Sequence, residues 1–245
     1  MPRFFVDTPL TAPGEIALPA GAARHVQVLR LQPGDVLTLF DGSGPEWQAE
    51  VTAMGRSEVR VNLLQAEQPR RELERAVTLA VVMPANDRMD FVVEKATELG
   101  AAAIQPLQTE RSVLRLDGER AAKRVAHWQA VAVGASEQSG RTRVPVIAPV
   151  RSVAAWLAAL PDDDEAGRFV RSTGSAPALA RVAAPAAAGR WLALSGPEGG
   201  LAPEEEAAAV ARGFARISLG PLILRADTAP LAWLAQMAVL LPCAQ

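Results

Sequence analysis

The stretch LALSGPEGGLAPEEEAAAVARGF, Leu192 to Phe214, followed by ISLGPLILRADTAPLAWLA, Ile217 to Ala235, decides the fold. Each part reads as an apolar strand that ends in a glycine loop and opens into a helix. Two such turns, side by side at one end of a sheet, make a pocket where an open α/β sheet places its ligand. The glycines of Ser195-Gly196-Pro197-Glu198-Gly199-Gly200 permit unusual backbone angles and let a ligand approach the main chain closely. A phosphate-binding loop fails on two counts. No Gly-Lys-Ser/Thr ending follows, and the next helix opens Pro203-Glu204-Glu205-Glu206, with carboxylates where a phosphate needs positive potential. The GxGxxG spacing of a dinucleotide site is absent too. A neutral or cationic ligand held by backbone groups fits better. Alone, the first loop is as readily a structural turn. The second loop, Leu219-Gly220-Pro221 and then Ile223 to Ala229 with Asp227 as a helix cap, shifts the balance toward a binding site.

The rest of the composition narrows the class. A chain of 245 residues, 49% apolar, fits one large domain or two modest ones with ample core. A formal charge of -2 gives no global attraction to nucleic acid, so a polyanion would have to meet a local patch. Of the 25 basic residues only Lys95 and Lys123 are lysines. The arginines suit bidentate phosphate contacts, although a coding bias accounts for most of them equally well. Cys243 stands alone and His25 and His127 are the only histidines, which argues for a reducing compartment and against a zinc site. No signal-like or membrane-spanning apolar run occurs, so a cytoplasmic location without membrane contact is expected.

In chain order, residues 1–64 favour strands. Val36–Phe40, Trp47–Ala53 and Glu58–Leu64 are β-prone runs separated by turn chemistry, as in a small barrel. The charged run Gln65–Arg75 reads as a linker, placing one domain at 1–70 and another at 76–245. Beyond it strand and helix alternate, from Val77–Met83 onward, which predicts a mostly parallel sheet with helices on both faces. Asp87 can cap a helix carrying Met89, Val92, Ala96 and Leu99 on one face, ended by Gly100. A longer helix over Gly118–Ser139 puts Trp128 on its apolar stripe and His127 one position off it. The Ala-rich Ser175–Gly189 carries no readable chemistry.

SGPEGG and LGPLILRADTA, with MDFVVEKATELGAAAIQPLQTERSV and HWQAVAVGASEQSGR upstream, resemble the bacterial 16S rRNA uridine-N3 methyltransferases of the SPOUT superfamily. RFFV and HVQVLRLQPGDVLTLFDGSG near the N-terminus are similar to that family's PUA-like RNA-binding domain. The resemblance spans nearly the whole chain. It implies a PUA-like β-barrel followed by a trefoil-knotted α/β domain that binds S-adenosylmethionine and works as a homodimer on 16S rRNA, within the small ribosomal subunit or its precursor. The knot is not something strand and helix patterns would suggest. The cofactor should lie against Leu194, Ser195, Gly196, Pro197, Glu198, Gly199 and Gly200, and against Leu219, Gly220, Ile223, Leu224, Arg225, Thr228 and Ala229. A sulfonium cation near an acidic helix start is tolerated where a phosphate is not. Two positions depart from the family pattern. Pro84 replaces a common lysine, removing a phosphate contact, and Asp227 stands in for glutamate, keeping the charge.

Methylation at N3 of uridine requires that a proton leave and that the uracil anion be stabilised. Arg225 is the candidate stabiliser, and Glu198, Glu137 or Asp227 the candidate acceptors; for Glu198 and Asp227 a loop or cap role is equally expected. Candidate RNA contacts are Arg3, Arg24 and Arg30 in the first domain and Arg88, Arg111, Gln138 and Arg141 in the second. Two other readings stay open at this point: a non-catalytic RNA-binding assembly factor, and methylation of another RNA atom such as a ribose 2′-hydroxyl.

Overall fold

The structure is a computed structural model that describes residues 1–56, 58–85, 88–110, 112, 114–162, 166–172, 176–182 and 189–240. It divides into two compact units, one of residues 1–72 with 136–144 and one of residues 73–135 with the described residues from 145 to 240.

The first unit contains β1 (Arg3–Phe5), β2 (Gly14–Ala17), α1 (Ala20–Val28), β3 (Val36–Phe40), β4 (Glu46–Met54) and β5 (Val59–Glu67). Its sheet runs β1-β3-β4-β5-β2, antiparallel except where β1 joins β3. Alternation along β5 buries Val59, Val61 and Leu63, as expected for a strand with one face in the core. Register shifts at Trp47/Ala49 and Val51/Ala53 put bulges into β4, which increase local twist. Ala22, Ala23 and Val26 of α1 join Phe4, Leu37, Leu39 and Val51 in one core. That helix was not apparent from a stretch that reads mostly as strands. It is nine residues long, follows Pro19, and carries its apolar face on small alanines, so its periodicity is faint.

The segment 136–144, expected within the second domain, belongs to the first unit for electrostatic reasons. Arg3 ion-pairs with Glu46 and donates to the carbonyls of Gly140 and Arg141 at 3.3 and 3.1 Å. Arg71 bridges Glu46 and the Gly140 carbonyl, and Arg141 is paired with Glu72. The Glu137 carboxylate accepts the Phe5 N–H at 2.8 Å, with His25 at 4.0 Å.

The second unit holds β6 (Ala76–Val82), α2 (Met89–Glu98), β7 (Ala103–Gln108), α3 (Gly118–Ser139, whose last turn counts with the first unit), β8 (Val146–Ile147), β9 (Arg151–Ser152), α4 (Val153–Ala159), β10 (Ala166–Arg171), α5 (Leu179–Val182), β11 (Arg190–Ser195), α6 (Pro203–Ala211), β12 (Ala215–Ile217) and α7 (Thr228–Leu240). All strand pairs are parallel, in the order β12-β10-β11-β6-β7-β8, with β9 also on β7. One face packs Val82, Val170 and Leu194 against Trp156, Ala209 and Phe214 of the α4 and α6 side. On the other, Phe169 meets Trp191 and Trp233, so α7 covers that face. Gly100, at φ +92°, ends α2 as expected. The Asp87 cap lies outside the described residues. Trp128 is buried, and Asp90 accepts from its indole at 2.9 Å while contacting His127 at 2.6 Å. His127 is therefore a polar tie between α2 and α3.

Burial raises the pKa of Glu137 more than the Phe5 N–H and the nearby His25 and Arg3 lower it. A carboxyl with a raised folded-state pKa contributes most below its unfolded pKa and loses that contribution as pH rises through the folded value. Glu137→Gln, which keeps an acceptor for Phe5, should therefore raise the melting temperature at pH 7 and leave it unchanged near pH 3; thermal unfolding at the two pH values checks this.

Candidate active site

Both glycine loops leave the carboxyl end of the parallel sheet, from β11 and from β12. They are not immediate neighbours as the sequence suggested, because β10 lies between the two strands. In the first loop the Gly200 N–H donates to the Pro197 carbonyl at 2.9 Å, with Gly200 at φ +75°. A Cβ on Gly196 would stand 2.8 Å from the Leu201 nitrogen. The loop doubles back so tightly that only glycine fits. It leads into α6, where Glu205 accepts the Ala202 N–H at 3.0 Å beside Glu204 and Glu206. A cavity of about 450 Å³ opens there, lined by Glu110, Glu204 and Glu205 with the starts of α4 and α6. Its carboxylates again disfavour an anion.

In the second loop Gly220 takes φ +122° and its N–H donates to the Ser218 hydroxyl at 3.2 Å. Leu222 and Ile223 follow, 76% and 92% exposed. The Arg225 carbonyl accepts the N–H groups of Thr228 and Ala229 at 3.1 and 2.9 Å, turning the chain into α7. Leu194 and Ala229 are buried, Leu219 and Leu224 partly so, and Gly199 and Thr228 exposed.

A single segment ties the two loops together. The Ala85 N–H donates to Glu198 Oε1 at 3.3 Å, and Arg88 ion-pairs with Asp227. Asp227 is only 4% exposed. Burial opposes its charge, but Arg88 and the Thr228 hydroxyl together hold its pKa below the usual carboxylate value. It is consequently a structural anion and a poor proton acceptor. Thr228 and Ala229 open α7 ahead of Pro230, which has no N–H for a capping carboxylate to receive.

The other sequence candidates divide. The Arg225 side chain is exposed, with no hydrogen bond or ion pair among the described residues. Arg24, Arg30 and Gln138 are exposed in the first unit, Arg30 at φ +56°. Arg3 and Arg141 are internal to that unit, paired to Glu46 and Glu72 and withdrawn from solvent. Their donors are spent on Glu46, Glu72 and backbone carbonyls. Arg88 is committed to Asp227, and Arg111 lies outside the described residues. Glu137 is engaged with Phe5. Arg171, at the end of β10 between the two loops, was missed, because strand order is not written in the sequence.

A parallel sheet with glycine loops at its carboxyl end, beside a separate small β-sheet unit, is the architecture expected of a SPOUT-type RNA methyltransferase with a PUA-like domain. The family model described as RNA methyltransferase domain matches residues 71–238, and that described as RNA methyltransferase PUA domain matches 18–64. Proteins named ribosomal RNA small subunit methyltransferase E are similar throughout: 34% identity with that of Mycobacterium bovis, over 97% of this chain and 91% of the relative, and 32% with that of Bacillus subtilis, over 84% and 82%. The crystal structure of the Neisseria gonorrhoeae enzyme of that name, bound to S-adenosylmethionine, superposes with a TM-score of 0.89 at 39% identity, covering 98% of each chain. The chain belongs to the ribosomal RNA small subunit methyltransferase E family.

Gly196→Ala should cost about 1–3 kcal/mol in unfolding free energy, because the new methyl must displace main chain; chemical denaturation measures it. Asp227→Asn should flatten the acid limb of stability. A depressed carboxyl pKa contributes above the unfolded value and is lost as pH falls through the folded one, so wild type and variant should converge below about pH 3.

Proposed function

We propose that the protein transfers a methyl group from S-adenosylmethionine to N3 of a uridine in 16S rRNA. The carrying observation is the convergence of the SGPEGG and LGPLILRADTA loops at one sheet end, with the unpaired Arg225 between Ile223 and Asp227. The cradle suits the cofactor: Gly196 admits no side chain, and the buried Ser195 hydroxyl has no partner among the described residues. Leu194 to Gly200 would hold it on one side and Leu219, Gly220, Ile223, Leu224, Arg225, Thr228 and Ala229 on the other, chiefly through main-chain groups. When bound, S-adenosylmethionine supplies an electrophilic methyl group.

The chain's own residues handle charge and proton. Arg225, exposed and unpaired, balances the negative charge that grows on uracil as N3 loses its proton. Glu198, exposed and held only by the 3.3 Å contact from Ala85, is free to take that proton, whereas Asp227 is committed to Arg88 and Glu137 to Phe5. Residues 1–70 serve as the RNA-binding module and 76–245 as the methyltransferase module. Arg24, Arg30 and Gln138 are the available RNA contacts. The protein acts as a cytoplasmic homodimer on the small subunit or its precursor; no helix among the described residues is long and apolar enough to cross a membrane.

Nucleoside mass spectrometry of small-subunit RNA treated with the protein and S-adenosylmethionine should reveal 3-methyluridine. A 2′-O-methylated nucleoside instead would move the target to ribose, and no methylated product despite RNA binding would leave an assembly factor. Arg225→Ala should lower kcat at least tenfold with little change in cofactor affinity. Replacing Arg24 or Arg30 should reduce the salt slope of RNA binding by about one unit; an unchanged slope removes that residue.

A further inference from the structure

β10 ends on Arg171 between the two strands that carry the loops. Register pairs Val170 with Leu194 of β11 and Arg171 with Ile217 of β12, so Ser195 lies next to Arg171 across the ladder. Side chains alternate along a strand, and in-register neighbours in a parallel sheet share a face. Phe169 and Trp191, two and four residues back, touch ring to ring at 5.1 Å, and Phe169 also meets Trp233 of α7. Arg171 and Ser195 therefore stand on the α7 face, one strand apart, at the carboxyl end where both loops emerge.

Both groups lack what burial normally demands. Arg171 is half-buried and has no ion pair or hydrogen bond among the described residues. Burial lowers its pKa, and no carboxylate offsets the effect. The Ser195 hydroxyl is wholly enclosed and has no partner among the described residues. Glu206, which accepts from the neighbouring Ser172 hydroxyl, is ion-paired with Arg216. A desolvated cation next to an unsatisfied hydroxyl is costly unless a ligand completes it.

We propose that Arg171, with the Ser195 hydroxyl, receives the carboxylate of the amino-acid tail of S-adenosylmethionine. The proposal rests on the cofactor lying between the loops, as inferred above. A terminal carboxylate presents two oxygens that match the forked guanidinium.

The test compares S-adenosylmethionine with its decarboxylated analogue, which keeps the sulfonium and the adenosine, by calorimetry on the full-length wild type and on Arg171→Met. The wild type should favour the carboxylate-bearing form at least tenfold, as a charge-assisted contact would. Arg171→Met should bind both forms alike, near the affinity of the wild type for the analogue, and Arg171→Lys should regain part of the preference. Arg171→Met should melt no lower than wild type, since it removes a half-buried charge with no counter-ion among the described residues; a purely structural arginine would lower it. An undiminished preference in Arg171→Met overturns the assignment, and weaker RNA binding with that preference intact gives the residue to a phosphate instead. Should Arg171→Met not fold, Ser195→Ala must still cut the preference severalfold, and an unchanged ratio there overturns the proposal. Absence of S-adenosylmethionine binding by the folded wild type would instead remove the functional reading beneath it.

Discussion

The second unit depends on the hydrogen bonding of β11 on both of its edges. Arg190 to Ser195 align with Ala76 to Val81 of β6, and Arg190 to Leu194 with Ala166 to Val170 of β10. A strand late in the chain thus fills the gap between two earlier ones, and β12 is left to take the outer edge. Because every pair is parallel, all carboxyl ends fall on one rim. The two glycine loops leave from that rim: a Cβ at Gly196 would strike main chain, and Gly200 and Gly220 take positive φ.

Much of this is legible in the sequence. The apolar runs before SGPEGG and LGPLILR could only be strands entering tight turns, and the acidic opening of α6 already ruled out a phosphate. The alternation of strand and helix after residue 75 indicated a parallel sheet. What one-dimensional pattern could not convey was adjacency. Nothing in RFVRS announces that Arg171 will stand between two loops, because its neighbours come from residues about 24 and 46 positions later. Arg88 and Asp227 are 139 residues apart in sequence, and their pairing turned a supposed RNA contact and a candidate base into one structural tie.

The first unit gives a similar lesson about arginine. Sequence offered no means of telling a phosphate-binding arginine from one that reflects coding bias. The structure separates them by solvation: Arg3 and Arg141 spend their donors on Glu46, Glu72 and backbone carbonyls, whereas Arg24 and Arg30 keep theirs toward water. Burial of Glu46 opposes its charge, yet Arg3 and Arg71 hold its pKa low, so its carboxylate remains the anchor of that network. Segment 136–144 joins the first unit because its carbonyls and its own Arg141 are part of the same exchange.

Leu222 and Ile223 remain as hydrated hydrocarbon on the loop that precedes Arg225. Water ordered against such side chains is released when a ligand or another surface covers them, and the thermodynamic mark of that release is a drop in heat capacity. The temperature dependence of a binding enthalpy therefore reports the apolar surface that binding covers, and these two side chains add to it if they are covered.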